Sequence, residues 1–236
     1  MRVFLVVVVV FFSTHFFSQT QQDFFSQTNE FLKNNVTTEG KIKYSSLKKS
    51  PGELFYILKN VETLKIDSLS NETKIAFWIN AYNLLVIKNV IDNYPVRSIN
   101  LLEDFFSKRF QIANAQYSLS EIENRVKSLV ADPGRHFVLS DSTISGQKLL
   151  NAAYLPDSVL YQLQYEMKTA INKPDFFKII SDSNSIELPS LFQLHKEDFV
   201  TLYFNQIDFL NVFLDKKLDK KLVILFKKYN WALNEL

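Results

Sequence analysis

The chain has no cysteine among its 236 residues. That removes disulfides, thiolate nucleophiles and thiolate metal ligands together, so stability has to come from a core and any covalent chemistry from hydroxyls. Glycine is scarce: only Gly40, Gly52, Gly134 and Gly146 occur, too scattered to form a glycine-rich loop around a phosphate. Of three histidines, His15 lies in the N-terminal apolar region, while His136 and His195 lack the spacing of a ligand pair. No zinc site and no other cofactor is expected. Neither charge sign dominates. The net charge is +2, and the Lys-rich piece from Asp215 to Lys221 is broken by Leu218 and Asp219, the pattern of a solvated face rather than of a stripe that binds nucleic acid.

No apolar run is long enough to span a bilayer. The run from Val3 to Phe12 falls well short of the roughly 20 residues a spanning helix needs. Placed after Arg2 and before a polar stretch, it has the order of a secretory signal; a buried N-terminal strand is the competing reading of its valines. The expectation is a signal over residues 1–18, cleaved before Gln19. A cut before Gln27 is the alternative, because "FFSQT" occurs twice. No cysteine follows the run, so a lipid anchor is excluded, and the product is expected to be periplasmic or secreted with no stable membrane anchor. Residues 19–236, with 47% hydrophobic and 22% charged residues over the whole sequence, suit one domain with a sizeable core.

What is present reads as a mixture of helices and short strands. Apolar pairs Phe24/Phe25 and Phe31/Leu32 predict a short helix from about Asp23 to Asn34. Ser50 and Glu53 have capping-box spacing with Pro51 at the first helical position, followed by Leu54, Ile57, Leu58 and Val61. A long, nearly apolar helix runs from Ile75 to Ile91 and stops before Pro95. Inside it, Asn80 and Asn83 lie one turn apart and are read first as braces for neighbouring backbone, since buried amides need partners. "RFQIANAQYSLS" predicts a hairpin with Asn114 at positive φ, and Ser120 to Glu123 a second capping box, in which Glu123 is a cap residue. His136 to Leu139 reads as a strand, Leu155 to Ala170 as a helix, "NSIELPSLFQL" as a short strand, "DFLNVFL" as a helix and "KKLVILFKKYNWAL" as a terminal strand. The class is α+β, a single domain with a small, mostly antiparallel sheet packed with helices.

The stretch "AFWINAYNLLVIKNVIDNYPVRSI" (Ala76 to Ile99) resembles the signature helix of the family of domains of unknown function called DUF547. The likeness continues through "RFQIANAQYSLSEIE", "DPGRHFVL", "NAAY", "EDF" and "YNWALN". It implies an α+β domain related to papain- and transglutaminase-like thiol enzymes, with a Cys and a His at the site. In the family pattern a Cys follows the histidine by five residues, and a Ser-Cys-Pro-Pro-Leu-Arg segment comes next. Here Asp141 and Gly146 stand at the two cysteine positions, Gln147 and Lys148 at the prolines, Leu150 at the arginine, and Ala152 at a glutamate. Arg135 comes one residue late, which on a strand would turn it to the opposite face. Asn80, Asn83, Glu123, His136 and the Asp198-Phe199 pair match.

The frame of such a site is thus expected without its nucleophile. The leading expectation is a non-catalytic exported domain whose cleft binds a peptide, glycan or envelope partner, with Asn83, Asp141 and Asp198 among the binding positions. The alternative is a hydrolase or acyl transferase in which Ser145 or Ser142, with Ser140 nearby, replaces the thiol, His136 is the base, and Asn80 or Glu123 orients it. A third reading makes Asp141 a working carboxylate beside His136 in a glycosidase-like or metal-assisted role. With no nucleophile beside it, His136 is read first as a hydrogen-bonded core histidine, and His195 as a surface residue.

Overall fold

A computed structural model describes residues 23–236; the expected signal, residues 1–18, lies outside them. A first helix, α1 (23–35), is followed by α2 (Tyr44–Lys49) and α3 (Gly52–Val61). Helix α3 has Pro51 at its N-cap and no side-chain cap bond, so the capping box expected at Ser50 and Glu53 does not form. The helix forms regardless, because Leu54, Ile57, Leu58 and Val61 bury one face of it.

The long apolar segment is α4 (Asn71–Asp92). Ser70 caps it by accepting from the Thr73 amide, and nearly every residue from Ile75 to Ile91 is buried. Its asparagines act as braces. Asn80 Nδ2 donates to the carbonyls of Ala76 and Tyr154 at 2.9 and 2.7 Å, and its Oδ1 accepts from the Tyr154 amide at 3.0 Å. Asn83 clasps the carbonyl of Val138 and the amide of Ser140, each at 3.0 Å. Asn80→Ala would leave both backbone groups of buried Tyr154 without these partners, and we expect a loss of about 2 kcal/mol, read as a lower urea midpoint at unchanged slope.

Strands β1 (Arg109–Ile112) and β2 (Ala115–Ser118) form the predicted hairpin. Its two turn residues, Ala113 and Asn114, both take positive φ, as a tight hairpin turn requires. Helix α5 (Leu119–Leu129) begins at once, capped by Ser118, whose side chain and that of Glu121 form the reciprocal box. The box is therefore two residues earlier than the one expected at Ser120 and Glu123, because the hairpin register pairs Ser118 with Arg109 and makes Ser118 the last strand residue. Glu123 is left uncommitted to capping.

Residues Pro133–Phe137 form a 3-10 helix, which corrects the strand expected at His136. Asp132 caps it by accepting from the Gly134 amide at 2.7 Å, and Pro133 presets the first turn. After it come α6 (Val159–Ile171), β3 (Lys178–Ile180), β4 (Ser185–Leu188), α7 (Leu191–Leu194), α8 (Lys196–Tyr203), α9 (Gln206–Phe213) and β5 (Val223–Phe226). The β structure is mixed: besides the hairpin, β4 is the centre of a separate three-stranded sheet, antiparallel to β3 and parallel to β5. The terminal segment past β5 contributes isolated bridges, Ala232 to Ser98 and Leu233 to Thr143.

Two apolar cores result. The larger gathers α1 to α5 around α4; the smaller is built on β4 and α7 to α9, with Phe192, Phe199 and Phe209 in mutual contact. Helix α6 serves both, Val159 and Leu163 in the larger and Met167 and Ile171 in the smaller. The last residue of the 3-10 helix and the one after it part the same way: Phe137 enters the smaller core and Val138 the larger. His136 thus stands where the two cores meet.

Candidate functional site

A cleft of about 330 Å³ opens at that junction. His136 and Glu123 line its polar side with His195; Asp141, Ser145 and Gly146 line another side; Tyr82, Phe106, Leu139, Leu191, Leu194, Tyr229 and Trp231 supply most of the apolar wall. Asn80, Asn83, Ser142 and Asp198 are not in the lining. The two asparagines hold the backbone behind it, and Ser142 is buried with a positive φ of 66°.

His136 is oriented from below. Its Nε2 lies 2.9 Å from Asp198 Oδ2, and because that carboxylate can only accept, the proton is on Nε2 and the lone pair on Nδ1, which faces the cleft's Glu123. Asp198 also takes an ion pair from Lys127 Nζ at 2.8 Å and another from the Arg135 guanidinium. Burial works to raise the Asp198 carboxyl, but the bonds from Lys127, His136 and Arg135 outweigh it and hold the group well below the usual carboxylate range. Arg135, only 1% exposed, donates in addition to the carbonyls of Val130, Ala131 and Asp132. Instead of pointing to an opposite strand face, as expected, Arg135 and its neighbour His136 converge on one carboxylate, which the tight helical turn permits.

His195 corrects a second expectation. Rather than a surface residue, it stacks on His136 with ring centroids 3.8 Å apart at 23°. Glu123 Oε1 lies 3.9 Å from Nδ1 of each histidine. The two histidines, far apart in sequence and without ligand spacing, thus join Glu123 in a group whose ligand atoms all fall within 4.8 Å of one another. Burial lowers both imidazoles, His136 down to about 3, so both are neutral at pH 7. Burial raises Glu123, with Asp198 adding to the shift and Arg135 opposing it. No spacing in the sequence signals His195: it sits at the junction of α7 and α8, and the packing of those helices brings it to His136.

The opposite wall is closed by Asp141. Its Oδ1 accepts from the amide and hydroxyl of Thr143 at 3.0 and 2.7 Å, and its Oδ2 from the Tyr229 hydroxyl. Burial and this carboxylate together push the Tyr229 phenol well above its ordinary range. A Cβ placed on Gly146 would overlap the Asp141 carboxylate and stand 2.9 Å from Thr143 Oγ1. Positions 141 and 146 therefore adjoin in space, and Asp141 occupies the room a side chain at 146 would need. Ser145, beside Gly146 in the lining, accepts through Oγ from the Asn230 amide at 2.8 Å.

No curated protein and no solved structure matches the chain. Residues 66–169, which include α4, the hairpin, Glu123, the Arg135-His136 turn and the Asp141 to Gly146 loop, match the family model described as "Protein of unknown function, DUF547". Over that stretch, the chain is similar to the DUF547 family.

Proposed function

We propose that the protein is an exported, non-catalytic relative of papain- and transglutaminase-like thiol hydrolases, and that its cleft binds a peptide, glycan or envelope partner without covalent chemistry. The observation that carries this reading is the overlap between Asp141 and any side chain at position 146. A side chain at that position would collide with a carboxylate that three hydrogen bonds hold in place. The aromatic wall, where Tyr229 and Trp231 lie 4.2 Å apart between ring centroids, suits retention of an apolar or planar group. Export rests on the order of Arg2, the Val3 to Phe12 run and the polar stretch after it.

The alternative, hydrolysis or acyl transfer from Ser145, draws on the fact that Ser145 and His136 line one cleft. Against it, His136 donates toward Asp198 and turns its lone pair to Glu123, and among the described residues no bond links it to a serine. A panel of amide and ester substrates is expected to give no turnover above background. Turnover that disappears in both Ser145→Ala and His136→Ala, with circular dichroism unchanged, would overturn the non-catalytic reading. The binding role is read with Nile red, whose fluorescence is expected to rise with the wild type and not with Trp231→Ala; no rise with the wild type would count against it.

A further inference from the structure

We propose that Glu123, His136 and His195 hold one divalent transition-metal ion of the zinc class at the polar side of the cleft, an inference that rests on reading the cleft as a binding site. The three side chains come from separate parts of the chain: α5, the 3-10 helix and the junction between α7 and α8. Glu123 Oε1 is 3.9 Å from each Nδ1, and all three ligand atoms lie within 4.8 Å of one another. A point equidistant from three such atoms is about 2.3–2.5 Å from each, against roughly 2.0–2.2 Å for zinc bonded to imidazole nitrogen or carboxylate oxygen. In distance alone, the set needs to contract by a few tenths of an ångström; the direction of one ring must change as well.

The support behind the ligands has the form that metal sites require. A ligating histidine generally gives its other ring N–H to a carboxylate, which fixes the tautomer and raises the basicity of the bonding nitrogen. His136 does this to Asp198 at 2.9 Å, and the two cations near the site, Lys127 and Arg135, both pair with Asp198. Glu123 is left as the anion facing the imidazoles. The stacked rings cannot both point a lone pair at one ion in their present orientation, so one must turn. His195 is the one able to do so: its side chain is 30% exposed and its ring makes no hydrogen bond among the described residues, whereas His136 is buried and held. Two histidines and one carboxylate leave a fourth position, which opens to the cleft and can accept a donor from a bound partner. Imidazole with a single carboxylate suits Zn²⁺ and its transition-metal neighbours over Mg²⁺ or Ca²⁺, which prefer all-oxygen shells.

The test uses the full chain without an affinity tag, stripped with EDTA and titrated with Zn²⁺ by calorimetry and with Co²⁺ by visible absorption. One ion per chain is expected, with Zn²⁺ displacing the Co²⁺ bands and Mg²⁺ leaving them unchanged. His195→Asn and Glu123→Gln, both partly exposed and outside the apolar cores, are each expected to weaken binding by about 100-fold or more with circular dichroism unchanged. Asp198→Asn is left aside because it also disturbs Arg135. No Zn²⁺ binding by the wild type, or binding that both variants retain at full strength, overturns the proposal. Nile red separates the two readings. A wild type that binds the dye but no zinc loses the metal site alone, whereas loss of dye binding counts against the cleft reading.

Discussion

Asp198→Ala is expected to remove about 3–5 kcal/mol of stability, the range for taking one partner from a buried ion pair and leaving the other behind. The residue left behind is Arg135, buried to 1%. Three backbone carbonyls would still accept from its Nη1, but its Nη2 would lose the only anion it pairs with among the described residues, and His136 Nε2 its acceptor. Lys127 contacts the same carboxylate at 2.8 Å, yet its side chain is 55% exposed, so Lys127→Ala is expected to cost no more than about 1 kcal/mol. Urea denaturation of both variants measures the contrast. Equal, small shifts would mean that Asp198 acts as a surface group and that the cluster does not hold the turn bearing His136.

Placing cysteine at position 146 is expected to harm the fold without bringing activity. Gly146→Cys places a Cβ in the volume of the Asp141 carboxylate, and that group cannot swing aside without breaking its bonds to Thr143 and Tyr229. Overpacking of this kind costs about 2–3 kcal/mol. Asp141→Ala in the same chain relieves the overlap, so the double variant is expected to be more stable than the sum of the single effects by at least about 1 kcal/mol. A Gly146→Cys protein with wild-type stability would remove the steric basis of the non-catalytic reading.

The parts of the site that were legible in the sequence are those fixed by local chemistry. Helix α4 announced itself by a long apolar run and the braces Asn80 and Asn83 by their polarity within it; the hairpin was marked by Asn114. The cap of α5 was displaced by two residues because Ser118/Glu121 and Ser120/Glu123 share the same spacing, and only the hairpin register decides between them. The reading of His136 to Leu139 as a strand failed because four residues before a loop fit a strand and a tight turn equally. Its side chains part between two cores, which no period along the chain encodes. The approach of His195 to His136 lay out of reach of periodicity for the same reason, being a contact across 59 positions set by how α7 and α8 pack.

The division of α6 between the two cores bears on how the molecule unfolds. A helix is costly to start and cheap to extend, so half of a 13-residue helix has little stability by itself. Were the smaller core to melt first, Met167 and Ile171 would lose their packing, the helix would fray back toward Leu163, and the larger core would lose part of its own boundary. The reverse sequence meets the same obstacle from Val159 onward. Each core is thus a condition for the other's share of α6. A shared helix is therefore expected to hold the pair to one cooperative transition, even though their apolar interiors are separate.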